Sequence, residues 1–390
     1  MLAFAVLAWG CSGHSSSSLP PPATAPTTWT LVPHAFPPNV TILAMTPGEA
    51  GQPWVAVGSA TGPDGQPSTA CFLSNDTRTW TACELAPDDL DGSHTRLLSV
   101  GRLGSALLAG GVAVGALHGN PRPTLWRGEP GQPLAELNLP RELFGGERII
   151  SFNGISTGPP GGFAVGTWDG VANQAVAQVW RTADGGRWQR LDGVVSMTST
   201  AEELLRGSAV AAGPRRIVVV GAAVHLHHLN DGDDGAIWWS HDGSHWIRAD
   251  LSGSGLTGPG GQELQAVAAA ADGGFIAGGS DSGAAAAWAS PDGSTWKRVM
   301  LPDAAGRPGR LTALAATPGR VWAAGIVAGT PRVWSSADRE VWTREPLRAG
   351  APALHSPAQS VTLAAGDGVV VVVVQSPDGP KTWVASGPRA

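Results

Sequence analysis

Three imidazoles and three carboxylates fall within ten residues in His225-Leu-His-His-Leu-Asn-Asp-Gly-Asp-Asp234. Neutral imidazole is a good ligand for Zn²⁺, and carboxylate oxygens suit Ca²⁺. His225, His227, His228, Asp231, Asp233 and Asp234 are therefore the candidate metal ligands, with Zn²⁺ or Ca²⁺ as the ion. On extended backbone His225 and His227 share one face. Their spacing matches no zinc signature and no EF-hand loop, and a solvated turn is the competing reading. A second acidic run, Asp88-Asp-Leu-Asp-Gly-Ser-His94, would favour cations or basic peptides if both loops met at one opening. No Ser-His-Asp set, phosphate-binding glycine loop or paired-carboxylate motif stands out. No catalytic residue is assigned.

The elements that position these groups come from a recurring stretch. Trp288-Ala-Ser-Pro-Asp-Gly-Ser-Thr-Trp296 is rewritten at Trp180 to Trp188, Trp238 to Trp246 and Trp334 to Trp342, and more loosely at Phe72 to Trp80. Asp76, Asp184, Asp242, Asp292 and Asp338 occupy the position where a short carboxylate accepts hydrogen bonds from its own turn. The following Gly supplies a positive φ. Trp180, Trp188, Trp238, Trp246, Trp288, Trp296, Trp334 and Trp342 then come close in pairs across a hairpin, as core rather than as ligand platforms.

The first aromatics, Phe72, Trp126, Trp180, Trp238, Trp288, Trp334 and Trp383, recur at steps near fifty residues. Such a period is the size of a four-stranded propeller blade. Each period holds a small-residue strand a, an apolar strand b, a strand c with the first Trp, and a strand d with the second. The second period is degenerate, with Gly128, Pro130 and Leu134 at the motif positions. Too little chain follows Trp383 for a strand d, but Thr28-Trp29-Thr-Leu-Val-Pro33 repeats the strand-d pattern of Thr295-Trp296-Lys-Arg-Val-Met300. The sequence thus predicts an all-β, seven-bladed propeller over residues 29–390, its last blade closed by the N-terminal strand.

The chain has 390 residues, 54 Gly, 32 Pro, 14% charged residues and a net charge of −6. With no basic run, nucleic acid is excluded as a partner class. Of three cysteines, Cys71 and Cys83 flank the first repeat and face each other if its hairpin turns near Thr77, which predicts a disulfide and an oxidising compartment. Cys11 follows the apolar run 1–10, and Ser12 to Thr28 reads as a Ser/Pro/Thr-rich tether. Leu7-Ala-Trp-Gly-Cys11 resembles a bacterial lipoprotein signal, which implies lipidation of Cys11 and a membrane-anchored, extracytoplasmic protein. Ala8 and Trp9 depart from that pattern. An ordinary secretory signal or a truncated anchor is the alternative, and export follows in each case.

The repeated Ser-x-Asp-Gly-x-x-Trp resembles the Asp-box (BNR) repeat of sialidase-like β-propellers, with one residue fewer between Asp and Gly. The resemblance implies a fold and places the motif on the face away from the active site. It brings no catalysis: the chain has no Tyr, and sialidases of this family use a Tyr nucleophile. The expected function is a binding or scaffolding module, monomeric and tethered at the cell envelope, taking protein or glycan at the channel mouth. The alternative is a polysaccharide-acting hydrolase or lyase, which would need paired carboxylates at that mouth.

Overall fold

The computed structural model of the chain describes residues 27–49, 51–62, 65–113, 122–170, 174–227, 232–347 and 358–386. The segment 1–26, with Cys11, lies outside them, as do His228 and Asp231. The described residues form seven sheets, each with four antiparallel strands. Blade 5 shows the pattern: strand a Gln262–Ala269, strand b Phe275–Asp281, strand c Ala284–Ser290 and strand d Lys297–Val299. In blade 7, Trp29–Val32 is strand d and pairs antiparallel with Gly379–Ser386, Trp29 opposite Ala385 and Leu31 opposite Trp383. The predicted closure is present. Blade 2 gains a fifth strand, Leu85–Ala86, parallel to Leu134–Glu136.

The apolar strands b explain why the blades stack. In blade 4, Ile217, Val218, Val219 and Val220 are all fully buried. Alternate side chains leave a strand on opposite faces. Ile217 and Val219 accordingly join Phe163 and Val165 of blade 3, while Val218 and Val220 join Leu264 and Phe275 of blade 5. Seven such clusters occur, one between each pair of neighbouring blades. Each buried Val or Ile contributes about 1.5–3 kcal/mol. The cluster between blades 6 and 7 contains both Trp29 and Trp322, so the N-terminal strand completes a core as well as a sheet.

One glycine of strand b shapes strand a in six blades. Gly58, Gly111, Gly166, Gly221, Gly279 and Gly325 sit two residues beyond the strand-b partner of the first aromatic. Opposite each, strand a shifts register by one residue. A Cβ on Gly221 would lie 1.8 Å from the Arg206 carbonyl oxygen, and one on Gly279 1.8 Å from that of Glu263. The missing side chain makes room for the bulged carbonyl. Blade 7 has Val374 at this position, and its strands a and b pair without a shift. A side chain there and a bulge exclude each other.

Two local details stand out. Ala201-Glu-Glu-Leu-Leu-Arg206 is made of helix-favouring residues, yet strand a of blade 4 begins at Glu203. Its pairing with strand b, Glu203 opposite His225, overrides the local helix preference. The link Asp88 to His94 contains a helical turn, Leu90–Ser93, whose N-cap Asp89 accepts from the Gly92 N–H.

Candidate functional site

Strand a is the innermost strand of each blade, and seven of them wall a central cavity of about 230 Å³. At its upper end, where the b–c and d–a connections gather, seven register-equivalent positions form a ring. They are Thr41, Arg96, Ser151, Arg206, Glu263, Arg310 and Ser360, each one residue before a buried position such as Leu97, Leu264 or Leu311. None of the seven is buried, and the three arginines and Glu263 are exposed. Arg96, Arg206 and Arg310 have no ion-pair or hydrogen-bond partner for their guanidinium groups among the described residues. The ring thus carries three arginines and one carboxylate, Glu263, whose carboxyl oxygen accepts from Gln265 at 3.1 Å. Below it the wall mixes Leu43, Leu98 and Met45 with Asn153, Gln265 and Thr312.

A guanidinium offers five donors in a fixed fork and matches a carboxylate two bonds at a time. An opening with three of them favours anions. Asp88 to Asp91 of the acidic run line a separate cavity of blade 2. There Arg122 bridges Asp89, at 2.6 Å, and Asp91.

The histidine-rich connection of blade 4 lies on the same upper side. Of its four described candidates the structure brings two together: His225 Nε2 and Asp234 Oδ2 are 2.9 Å apart. Asp234 Oδ1 also accepts from the Gly258 N–H at 3.0 Å, and the Asp233 carbonyl accepts from the Gln262 N–H at 2.6 Å. Both aspartates thus tie the connection to the link entering blade 5. His227 is exposed and stands apart from this pair. No group of three or more metal-ligating side chains occurs among the described residues.

The repeat residues occupy the opposite face and build turns. Asp76, Asp184, Asp242, Asp292 and Asp338 each accept two backbone N–H bonds, from the residues two and three positions on, at 2.7–3.0 Å. The Thr79 and Arg78 N–H groups hold the Asp76 carboxyl down at about 2. Burial pushes Asp292 up, but Ser294 and the turn N–H groups prevail and leave it at about 2. Gly185, Gly243 and Gly293 have positive φ, and Thr77 and Arg339 adopt the same conformation in blades 1 and 6.

The tryptophans are structural as well. Trp188, Trp296 and Trp342 donate their indole N–H to carbonyls of their own turns at 3.1–3.2 Å. Trp180, Trp238, Trp288 and Trp334 donate to carbonyls of the incoming link, Leu143, Ser196, Gly255 and Pro302. Trp246 is buried in the core between blades 3 and 4. Cys71 and Cys83 form a disulfide between strands c and d of blade 1, with Cα atoms 5.4 Å apart. No helix among the described residues is long and apolar enough to cross a membrane.

Sequence reading singled out neither Arg96 nor Arg206. The signal existed: Arg96, Arg206 and Arg310 each stand fifteen residues before their strand-b glycine.

No family model matches the chain, and no curated protein matches it. Solved structures do. A structure described as YCF48 bound to D1 peptide is 18% identical, with a TM-score of 0.55, covering 95% of this chain and 98% of that one. The polysaccharide lyase Uly1 is 10% identical, with a TM-score of 0.50, covering 88% and 89%. The phage phi92 endosialidase is 12% identical, with a TM-score of 0.48, covering 93% and 70%. At these identities the likeness to the first two shows architecture alone and agrees with the seven sheets: the chain is a seven-bladed β-propeller.

Proposed function

We propose that the protein is a non-enzymatic binding or scaffolding module of the cell envelope that holds a carboxylate-bearing segment of protein or glycan at the channel mouth. The observation that carries this reading is the set of three arginines without partners among the described residues, Arg96, Arg206 and Arg310, at equivalent positions of the ring. Guanidinium groups without an internal ion pair break none on binding, and charge-assisted bonds to carboxylate are the strong ones. A propeller of the same build has been solved with a peptide bound, in keeping with a protein ligand. The two-carboxylate route of hydrolysis finds no pair at the ring, where Glu263 is the one carboxylate. Residues 1–11 would direct export and residues 12–28 would tether the propeller through a lipidated Cys11. An unmodified, cytoplasmic chain found by fractionation and intact-mass measurement would sink that part.

The test of the mouth is binding of polygalacturonate and of polyglutamate by the parent and by the R96A/R206A/R310A variant. Each guanidinium–carboxylate bond contributes about 1.5–3 kcal/mol. The triple variant should therefore bind at least about 100-fold more weakly, and parent binding should weaken with salt. Equal binding by both proteins, or binding of neither polymer by the parent, refutes the reading.

A further inference from the structure

Blade 2 carries a second cavity, of about 540 Å³, which shares no lining residue with the channel. We infer that it is a separate binding site, for an organic cation that carries an apolar body. Its floor is apolar: Leu125 and Phe144 are buried, and Phe144 lies stacked on Trp180 with ring centres 5.0 Å apart. Leu90 stands over the pocket from the link helix, 56% exposed, and so is a large apolar side chain without a cover among the described residues. A concave site with apolar walls and a few converging polar groups is what small ligands occupy.

The charge around it is unbalanced in one direction. Five carboxyl groups, those of Asp88, Asp89, Asp91, Glu136 and Glu147, face two guanidinium groups, Arg122 and Arg141. Arg122 is committed to Asp89 and Asp91. Glu136 is held differently. Its Oε2 accepts the Asp88 N–H at 2.9 Å and rests against Gly92 so closely that a Cβ there would lie 1.9 Å away. No cationic side chain pairs with it among the described residues. Burial, with the Asp89 charge adding to it, pushes its carboxyl above its ordinary value despite the Asp88 N–H and the nearby Arg122 charge. A carboxyl fixed in place, half-buried and without a directly bonded cation among the described residues gains most from a ligand that brings one with it.

Asp89 and Asp91, bound to Arg122, are not free to act on a substrate, so the geometry favours capture over catalysis. An ammonium or guanidinium beside Glu136 and Asp88 would leave its hydrocarbon part against Leu90, Leu125 and Phe144. The cation could belong to a free amine or to a basic side chain of a peptide.

The experiment is calorimetric titration of the full chain with 4-phenylbutylamine and with its neutral counterpart 4-phenylbutanol. The amine should bind at least about tenfold more tightly, the scale of one charge-assisted hydrogen bond. Glu136→Gln keeps an acceptor for the Asp88 N–H and should lower amine affinity about tenfold while leaving the alcohol unchanged. Should that variant melt below the parent, Asp88→Asn takes its place in the same comparison. The R96A/R206A/R310A variant should bind the amine like the parent, which separates this site from the mouth. An N-acetylated Leu-Arg-Leu peptide that displaces the amine assigns the site to basic side chains, and one that fails to do so assigns it to free amines. Equal affinity for amine and alcohol, no binding of either, or undiminished amine binding by both carboxyl variants would overturn the inference.

Discussion

Replacing Gly221 with alanine should both destabilise blade 4 and disturb the mouth. The added Cβ would meet the Arg206 carbonyl oxygen at 1.8 Å and the Gly207 Cα at 3.1 Å. Neither neighbour is the end of a flexible side chain, and Val219 and Val220 alongside are fully buried. The bulge must therefore flatten or the strands must part. Overpacking of this kind costs about 1–3 kcal/mol, and one disturbed ladder bond adds about 1 kcal/mol. A loss of about 3 kcal/mol is expected. With an unfolding entropy of about 0.8 kcal/mol per degree for a chain this long, that is a fall of about 4 °C in melting temperature. Gly186→Ala is the control, since the nearest atom to its added Cβ, Asp184 Oδ1, is 3.8 Å away. It should stay within about 0.5 kcal/mol of the parent. Calorimetric melting reads the stability, and hydrogen exchange at Arg206 and Gly207 reads the bulge. If Gly221→Ala melts with the parent and exchanges like it, the rule that a side chain and a bulge exclude each other is wrong.

Two other outcomes follow from the same structure. Deleting residues 27–33 removes Trp29 from its edge-on contact with Trp322, 6.2 Å between ring centres, and bares Gly379–Ser386 as an edge; a lower melting temperature or aggregation is expected by calorimetry and light scattering, and parent-like behaviour would refute closure. The turn aspartates have carboxyls below the ordinary 3.8, Asp76 and Asp292 at about 2, so their contribution is present above pH about 4 and lost as pH falls towards 2. Urea midpoints should drop over that window, and Asp76→Asn with Asp292→Asn should flatten the drop; an unchanged slope would show that these turns do not set acid stability.

How much could be read in advance depended on how far apart the deciding residues lie. The turn was legible because Ser290, Asp292, Gly293 and Trp296 fit within seven residues and bond to one another's backbone. Closure was legible because Trp29 repeats a strand-d pattern. The turn at Leu90–Ser93 was not, since its Asp-Leu-Asp-Gly-Ser run has no apolar period. Neither was the mouth. Arg96, Arg206 and Arg310 lie some hundred residues apart and meet only when the ring closes. The position after each ring residue is fixed by packing: Ile42, Leu97, Phe152, Leu264, Leu311 and Val361 are buried, and Gly207 accommodates the bulge. The ring position itself carries Thr, Arg, Ser, Arg, Glu, Arg and Ser. Its backbone is held by the blade while its side chain stays outside the buried core, so folding leaves the residue type open. Charge placed there is therefore available for recognition, which is why the channel mouth differs between blades whose cores are alike.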